Sequence, residues 1–180
     1  MRFGEFPNAF GHVQFKTWRE WDGEYLKRSY ELTGDMQDAI LRAEWDGFRG
    51  RVRADIHNLV ENAGFDLLLA FLNNEAPSGI SYVALGTSNT APTGIETQLP
   101  DEQIRLPVSS TTRTPGQLVV VGFFDTPQAN TTLGSAALFG GTASSATNSG
   151  SIYSYVVYSQ FTKNGLESLT AQWTLGFQAP

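Results

Sequence analysis

Histidine, cysteine and paired carboxylates do much of the chemistry of proteins, and this sequence is poor in all of them. It contains two histidines, His12 and His57, and no cysteine. A zinc ion is normally held by several His or Cys ligands, so a zinc site is not expected. Neither histidine lies near a Gly-x-Ser-x-Gly turn that could present a nucleophilic serine, and we interpret His57 as a residue at the end of a strand. We therefore predict no catalytic residue, no bound metal and no cofactor.

The acidic residues of the C-terminal half are the remaining candidates for chemistry. Two carboxylates flanking a sugar could form a glycosidase site, and the candidates are Asp101, Glu102, Asp125 and Glu167. Asp101 and Glu102 are adjacent and follow a loop, so they do not form a pair on one face of a strand. A glycan hydrolase is thus the least favoured interpretation. A calcium site in the loop of Asp101 or Asp125 stays open, although no EF-hand spacing is present.

Composition excludes several classes of function. The 180 residues are 41% hydrophobic and 12% aromatic, so a substantial core can form. The net charge of −6 argues against nucleic acid as a partner, because binding to phosphates needs a basic surface. No segment approaches the roughly 20 apolar residues of a membrane span, and the first residues lack the apolar core of a signal peptide. We predict neither a nucleic-acid nor a membrane partner.

Charge is unevenly distributed along the chain. The basic residues between Pro77 and Pro180 are Arg105, Arg113 and Lys163, and the acidic ones are Glu96, Asp101, Glu102, Asp125 and Glu167. A free-standing domain usually has about a quarter of its residues charged. Such a charge-poor surface indicates contact with other protein chains, whereas a Ser/Thr-rich β-domain of the extracellular type is the alternative. The absence of disulfides also favours stabilisation by oligomerisation.

The N-terminal region is rich in aromatic residues without a clear period. They are Phe3, Phe6, Phe10, Phe15, Trp18, Trp21 and Tyr25. Gly and Pro interrupt the segment, so it cannot bury these rings against itself. Two interpretations remain: a strand pair that folds back on the body, or an arm that binds a neighbouring subunit. We favour the arm, with these seven residues as partner contacts, and expect that removal of Met1–Gly34 leaves the rest folded.

The middle of the chain predicts two short helices and a strand. Asp35–Trp45 has an N-cap residue in Asp35 and a stop at Gly47, and Arg51–His57 alternates as a strand. Asn62 is the expected N-cap of a helix that ends near Asn73. Its apolar stripe is Phe65, Leu68, Leu69 and Leu72, widened by Leu67 and Phe71.

The C-terminal half predicts strands separated by turns. The strands are expected at Ile80–Thr87, Gln103–Arg113, Gln117–Phe124, Ser151–Phe161 and Leu169–Phe177. Lys163-Asn164-Gly165 has the composition of a hairpin turn, and Thr142–Gly150 is expected to be a mobile or partner-ordered loop. The fold class is predicted as mainly β: an antiparallel, jelly-roll-like β-sandwich with one or two short helices and an extended N-terminal arm. Residues 1–57 would form the arm and short-helix region, and residues 58–180 the sandwich domain.

Several segments resemble a module of tailed-phage structural proteins. Asn62-Ala63-Gly64 precedes the second helix, and Ile80–Pro92 is similar to the module's "I-x-x-(I/V)-A-(L/V)-G-T-x-x-T-A-P" pattern. Ala136–Gly141 is similar to an "E-A-G-L-F" element, although Ser135-Ala136-Ala137 departs from it. Ser168–Leu175 resembles the "L-T-(I/V)-x-W-x-(I/V)" strand. The resemblance covers roughly Asn58 to Phe177.

This resemblance implies a non-enzymatic virion protein that is made in the host cytoplasm. The favoured role is capsid decoration (cement) or a minor head protein, a homotrimer in contact with the major capsid protein or other virion proteins. The alternative is a tail-fibre, baseplate or neck protein involved in host attachment. For that role Tyr153, Tyr155 and Tyr158 could line a shallow glycan site, although core positions fit them better.

Overall fold

The computed structural model describes residues 8–75 and 79–178, and their fold is mainly β, as predicted. The strands are β1 (Asn8–Arg19), β2 (Arg51–His57), β3 (Leu59–Val60), β4 (Ile80–Gly86), β5 (Glu102–Pro107), β6 (Ser110–Thr114), β7 (Gln117–Phe124), β8 (Thr132–Gly140), β9 (Ser151–Thr162) and β10 (Glu167–Gln178). The helices are α1 (Glu20–Thr33), α2 (Met36–Trp45) and α3 (Asn62–Leu72). All the strand pairs are antiparallel.

Two sheets pack face to face as a β-sandwich. The first has the order β2-β1-β10-β7-β6 and the second the order β3-β9-β8-β4-β5. Alternate residues of β10 point between the sheets, as the sequence pattern predicted, and Leu169, Ala171 and Trp173 are fully buried there. The sheets approach closely at Gly122, where an added Cβ would lie 2.8 Å from Val83 Cγ2.

The N-terminal strand is part of the sandwich, which corrects the predicted arm for residues 8–19. β1 lies between β2 and β10 and pairs with β10 along its whole length, from Asn8 opposite Gln178 to Arg19 opposite Glu167. Phe15 is fully buried between the sheets, and Trp18 is fully buried under the helices. The alternative interpretation, a strand pair that folds back on the body, is therefore the correct one for this segment. The boundary at residue 57 does not separate two domains, because β1 and β2 share a sheet with β10.

Helices α1 and α2 form a pair that covers the outer face of the first sheet. Leu26 of α1 and Ile40 of α2 pack with Trp18 and with Val121 of β7. The predicted cap of α2 is confirmed, since the Asp35 carboxylate accepts hydrogen bonds from the backbone N–H groups of residues 37 and 38. The longer α1 was missed, because glycine and scattered aromatic residues obscure its period. Gly23 is needed there, since a Cβ would lie 2.4 Å from Ser168 Oγ.

Two connections differ from the sequence prediction. The single strand expected at Gln103–Arg113 is two strands, β5 and β6, which belong to different sheets. The expected hairpin at Lys163-Asn164-Gly165 is instead a crossing between the sheets, because β9 and β10 are not paired with each other. An Asn-Gly pair favours a tight turn, but it does not determine which strands the turn joins.

Candidate functional site

The two histidines are neighbours across β1 and β2. His12 is opposite His57, and their ring centroids are 5.8 Å apart in an edge-to-face arrangement. His12 Nε2 contacts the Asp55 carboxylate, which also accepts a hydrogen bond from Gln14 Nε2 at 2.9 Å. These side chains lie partly exposed at the sheet edge. Within residues 8–75 and 79–178, no group of three or more His, Asp or Glu side chains is arranged to hold a metal ion.

Three of the four carboxylates that the sequence offers for glycan hydrolysis form ion pairs with basic side chains. Glu102 forms a buried ion pair with Arg105, at 2.6 Å from Oε2 to Nη2. Glu167 pairs with Arg53 at 2.9 Å. Asp125 pairs with Lys27 at 2.6 Å. Burial acts to raise the pKa of Asp125, but the hydrogen bonds from Lys27 and from the backbone N–H of Thr126 outweigh it and lower that pKa.

Buried Lys163 joins two connections between strands. It is 1% exposed, and its ammonium donates to Asn130 Oδ1 at 2.8 Å and to the carbonyl of Thr126 at 3.2 Å. Burial lowers its pKa to about 8, against the opposing effect of the charges on Glu167 and Asp125. The residue thus holds the connection before β10 against the one after β7.

The tyrosines considered for a glycan site are buried in the sandwich. Tyr153, Tyr155 and Tyr158 are each at most 5% exposed. The Tyr158 hydroxyl donates to the carbonyl of Ser135, and the Tyr155 hydroxyl donates to the carbonyl of Thr90. Burial raises the pKa of all three residues. Their rings form core contacts, as the sequence interpretation preferred.

The predicted partner-contact residues do not form one surface. Phe15 and Trp18 are buried, and Tyr25 stacks on Phe48 with a centroid separation of 4.4 Å. Trp21 is 81% exposed and is the most accessible of the four described residues. Phe3, Phe6 and the side chain of Phe10 lie outside the described residues.

Trp21 lies in the first turn of α1, and a second exposed tryptophan lies on the same helix pair. Trp45 at the end of α2 is 90% exposed. The Tyr25 hydroxyl donates to Asp46, which brings the first turns of α1 beside the last turn of α2. We call these two exposed residues, Trp21 and Trp45, the tryptophan patch.

Helix α3 presents part of its predicted apolar stripe to solvent instead of to the core. Leu67 is buried against the sandwich, and Gly64 lies so close to the Tyr153 carbonyl that a Cβ would be 2.2 Å from that oxygen. Close contact at Gly64 therefore sets the orientation of the helix. The predicted stripe is turned outward in part, with Phe65, Leu69 and Leu72 at 42%, 64% and 79% exposure. We call these three residues the outer face of α3.

An apolar groove of about 470 Å³ opens beside this outer face, at the end of the sandwich. Leu68 and Phe71 of α3 form one wall, and Leu118 and Leu175 form part of the other. Arg113 lies at the groove, and no hydrogen bond or ion pair of its side chain is seen with the described residues. The groove and the outer face of α3 thus both present apolar side chains of this helix.

The first turn of α3 contains a carboxylate that sequence reasoning did not single out. Glu61, not Asn62, is the N-cap residue, and its side chain makes no capping hydrogen bond. It is fully buried against Glu96. Burial, together with the hydrogen bond to Glu96 and its charge, raises the pKa of Glu61 to about 7. Burial acts to raise the pKa of Glu96 as well, but hydrogen bonds from Thr93 outweigh it and lower that pKa to about 2.

The fold and these surfaces define an antiparallel β-sandwich protein with helices on its outside and with exposed apolar surfaces on them. No helix within the described ranges is long and apolar enough to span a membrane. Comparisons with protein-family models, with curated proteins and with solved structures find no match for this chain.

Proposed function

We propose that the chain is a non-enzymatic structural protein of a tailed-phage virion that acts as a capsid decoration or minor head protein. It associates as a homotrimer and contacts the major capsid protein. The observation that carries the proposal of association is the outer face of α3. A globular helix usually has one apolar stripe, and a helix that is apolar all round is normally buried on all sides. Asp66 is the only charged residue of α3. We therefore expect the outer face of α3 to be covered by another protein surface.

The energetics of the outer face favour association. Burying one exposed Leu or Phe side chain contributes about 1.5–3 kcal/mol. Phe65, Leu69 and Leu72 succeed one another at spacings of four and three residues, so all three can be covered by one partner surface. The apolar groove beside them extends this surface. We assign the contact to further copies of the same chain.

The tryptophan patch is the proposed contact with the capsid. It lies on the helix pair that covers the first sheet, whereas α3 packs on β9 of the second sheet. Tryptophan is enriched at the energetic centres of protein interfaces. A protein with two separate apolar surfaces can bind its own copies through one and the particle through the other.

The resemblance to phage modules supports the assignment to a virion. Its distinctive residues lie within the fold: Ile80–Gly86 is β4, and Ser168–Leu175 lies within β10. Ala136–Gly140 lies within β8, and Ala136 and Leu138 are fully buried. The similar residues are thus positions that build the sandwich. The alternative role in host attachment has less support, because the tyrosines considered for a glycan site are core residues.

The proposal is tested by locating the protein on particles. Purified chain, labelled with a small fluorophore, is added to phage particles from which it is missing, and the bound fraction is measured by co-sedimentation. Trp21→Glu with Trp45→Glu is expected to reduce binding at least tenfold while the variant keeps its fold. Leu32→Glu is the matched control, because Leu32 is also on α1 and is 88% exposed. Equal binding by all variants, or binding to tails alone, would contradict the proposed role.

A further inference from the structure

Arg113 lies on the face of the first sheet that points into the sandwich. It is opposite Leu118 of β7, and Leu118 is opposite Leu175 of β10, so these three side chains form one row across three strands. Leu175 is buried in the core between the sheets. The neighbouring Thr112 points to the other face, where its hydroxyl donates to Asp35 at the start of α2. Inward positions of a β-sandwich are usually apolar, so a charged residue in this row is unusual.

The charge of Arg113 has no counter-ion in the described part of the chain. None of the ion pairs between described residues involves it, and its side chain is exposed where the groove opens. The arginine on the neighbouring edge strand β5 differs, because Arg105 pairs with Glu102 at 2.6 Å. A guanidinium has five N–H donors in a planar fork that matches a carboxylate. Arg113 therefore offers a position at which a carboxylate can bind.

The groove beside Arg113 has a polar end and an apolar body. Its polar side chains are Arg113, Thr114 and Gln117, which all belong to the hairpin of β6 and β7. Apolar side chains from α3 and from four strands line the rest, among them Leu68, Phe71, Ile80, Leu118 and Leu175. The volume of about 470 Å³ lies within the range of roughly 300–1,000 Å³ that is usual for small-molecule pockets. Such pockets are mostly apolar and orient their ligand through a few polar groups.

We propose that this groove binds a fatty acid, with the carboxylate on Arg113 and the hydrocarbon chain along the apolar body. One arginine supplies one positive charge, which suits the single negative charge of a carboxylate. Removal of the hydrocarbon chain and of the groove walls from water is the main favourable contribution to binding. The outer face of α3 stays free for association, because Phe65, Leu69 and Leu72 are not among the lining residues. The inference therefore does not depend on the proposed trimer.

Titration calorimetry tests the inference on the full chain, after removal of any lipid that co-purifies with it. Dodecanoate is expected to bind as one molecule per chain. Dodecanol has the same hydrocarbon chain without a charge, and it is expected to bind less tightly. Arg113→Gln should weaken dodecanoate binding about tenfold or more and should leave dodecanol binding unchanged. Arg51→Gln is the matched control, because Arg51 is also exposed on an edge strand, and it should bind dodecanoate as the unchanged protein does.

A second variant tests the apolar body of the groove. Leu68→Trp puts a larger side chain into the wall that α3 forms, and it should abolish binding of both ligands. No binding of dodecanoate by the unchanged chain would overturn the proposal, as would equal weakening of both ligands by Arg113→Gln. Tighter binding of dodecyl phosphate than of dodecanoate would also overturn it and would indicate a phospholipid headgroup. If Leu68→Trp does not fold, Arg113→Gln and the unchanged chain still decide the result.

The alternative occupant of the groove is another copy of the chain. Binding of dodecanoate by the Leu69→Glu, Leu72→Glu variant but not by the unchanged chain would indicate that copies cover the groove, and it would overturn the proposal. Binding by an unchanged chain of monomeric mass, in contrast, would support the fatty-acid site and contradict the trimer. The two proposals therefore fail separately.

Discussion

The indole N–H of Trp18 donates a buried hydrogen bond of 3.0 Å to the hydroxyl of Thr170, a residue 152 positions further along the chain. The bond joins β1 to β10, the two strands that lie side by side in the first sheet. It is made on the outer face of that sheet, beneath α1 and α2. The N-terminal strand is thus part of the sandwich from Asn8 onward.

Replacement of Trp18 should therefore destabilise the whole sandwich. Trp18→Ala should lower the free energy of unfolding by about 3–5 kcal/mol, as expected for loss of a buried aromatic side chain. Thr170→Val should lower it by about 1–3 kcal/mol, because the buried indole N–H loses its acceptor. Trp21→Ala is the control and should change it by less than about 0.5 kcal/mol, since Trp21 is exposed. Urea denaturation gives all three values, and unchanged stability of Trp18→Ala would contradict the role of β1.

Arg105 should hold the segment Thr142–Gly150 in place on the sandwich. The sequence predicts that this segment is mobile or ordered by a partner. Its guanidinium donates to the Ser149 carbonyl at 2.7 Å, pairs with Glu102 and lies 3.8 Å from the centroid of the Phe139 ring. Arg105→Met should lower the free energy of unfolding by about 3–5 kcal/mol, because it leaves the Glu102 carboxylate buried without its partner.

The double variant Arg105→Met, Glu102→Met separates the two effects of Arg105. It should recover part of the lost stability, because no buried charge remains without a partner. Limited proteolysis within residues 142–150 should be faster in both variants, since the Ser149 carbonyl has lost its donor. Cleavage at the rate of the unchanged protein would show that Arg105 does not hold this segment.

The lowered pKa of Lys163 predicts that the free energy of unfolding depends on pH. Its pKa in the folded protein is about 8, below the ordinary value of about 10.4 expected for the unfolded chain. Between these values the unfolded state binds more protons than the folded state, so stability rises with pH. The free energy of unfolding of the unchanged protein, compared with that of Lys163→Met, should therefore rise by about 1–2 kcal/mol between pH 7.5 and 9.5. Urea denaturation at each pH checks this, and a constant difference between the two proteins would contradict it.

The sequence predicted those parts of the fold in which local pattern and tertiary environment agree. The alternation Leu169, Ala171, Trp173 identified an inward face of β10, and Asp35 identified the start of α2. The orientation of α3 could not be predicted from its apolar stripe, because almost every side of that helix is apolar. The close contact of Gly64 with the Tyr153 carbonyl decides it, and that contact is between segments far apart in the chain.

The candidate sites were predicted less well, for related physical reasons. The aromatic residues from Phe3 to Tyr25 are predicted to form one contact surface, yet strand alternation places Phe15 between the sheets and Trp18 beneath the helices. Glu61 gave no sequence signal, because a single glutamate before a helix is usually a solvated or capping residue. Its partner Glu96 lies 35 positions away in a polar loop, and only the packing of that loop against α3 brings them together.

The central claim is that copies of the chain associate through the outer face of α3. The mass of the protein in solution tests this claim most directly when it is measured with and without charges introduced on that face. Multi-angle light scattering at micromolar concentration should give a trimer of the 19.7 kDa chain. Leu69→Glu with Leu72→Glu should reduce it to a monomer, because each introduced carboxylate would have to lose water in the contact. Leu32→Glu on α1 is the control and should leave the trimer intact. A monomeric mass for the unchanged protein, or a trimer that survives both charges on α3, would contradict the account.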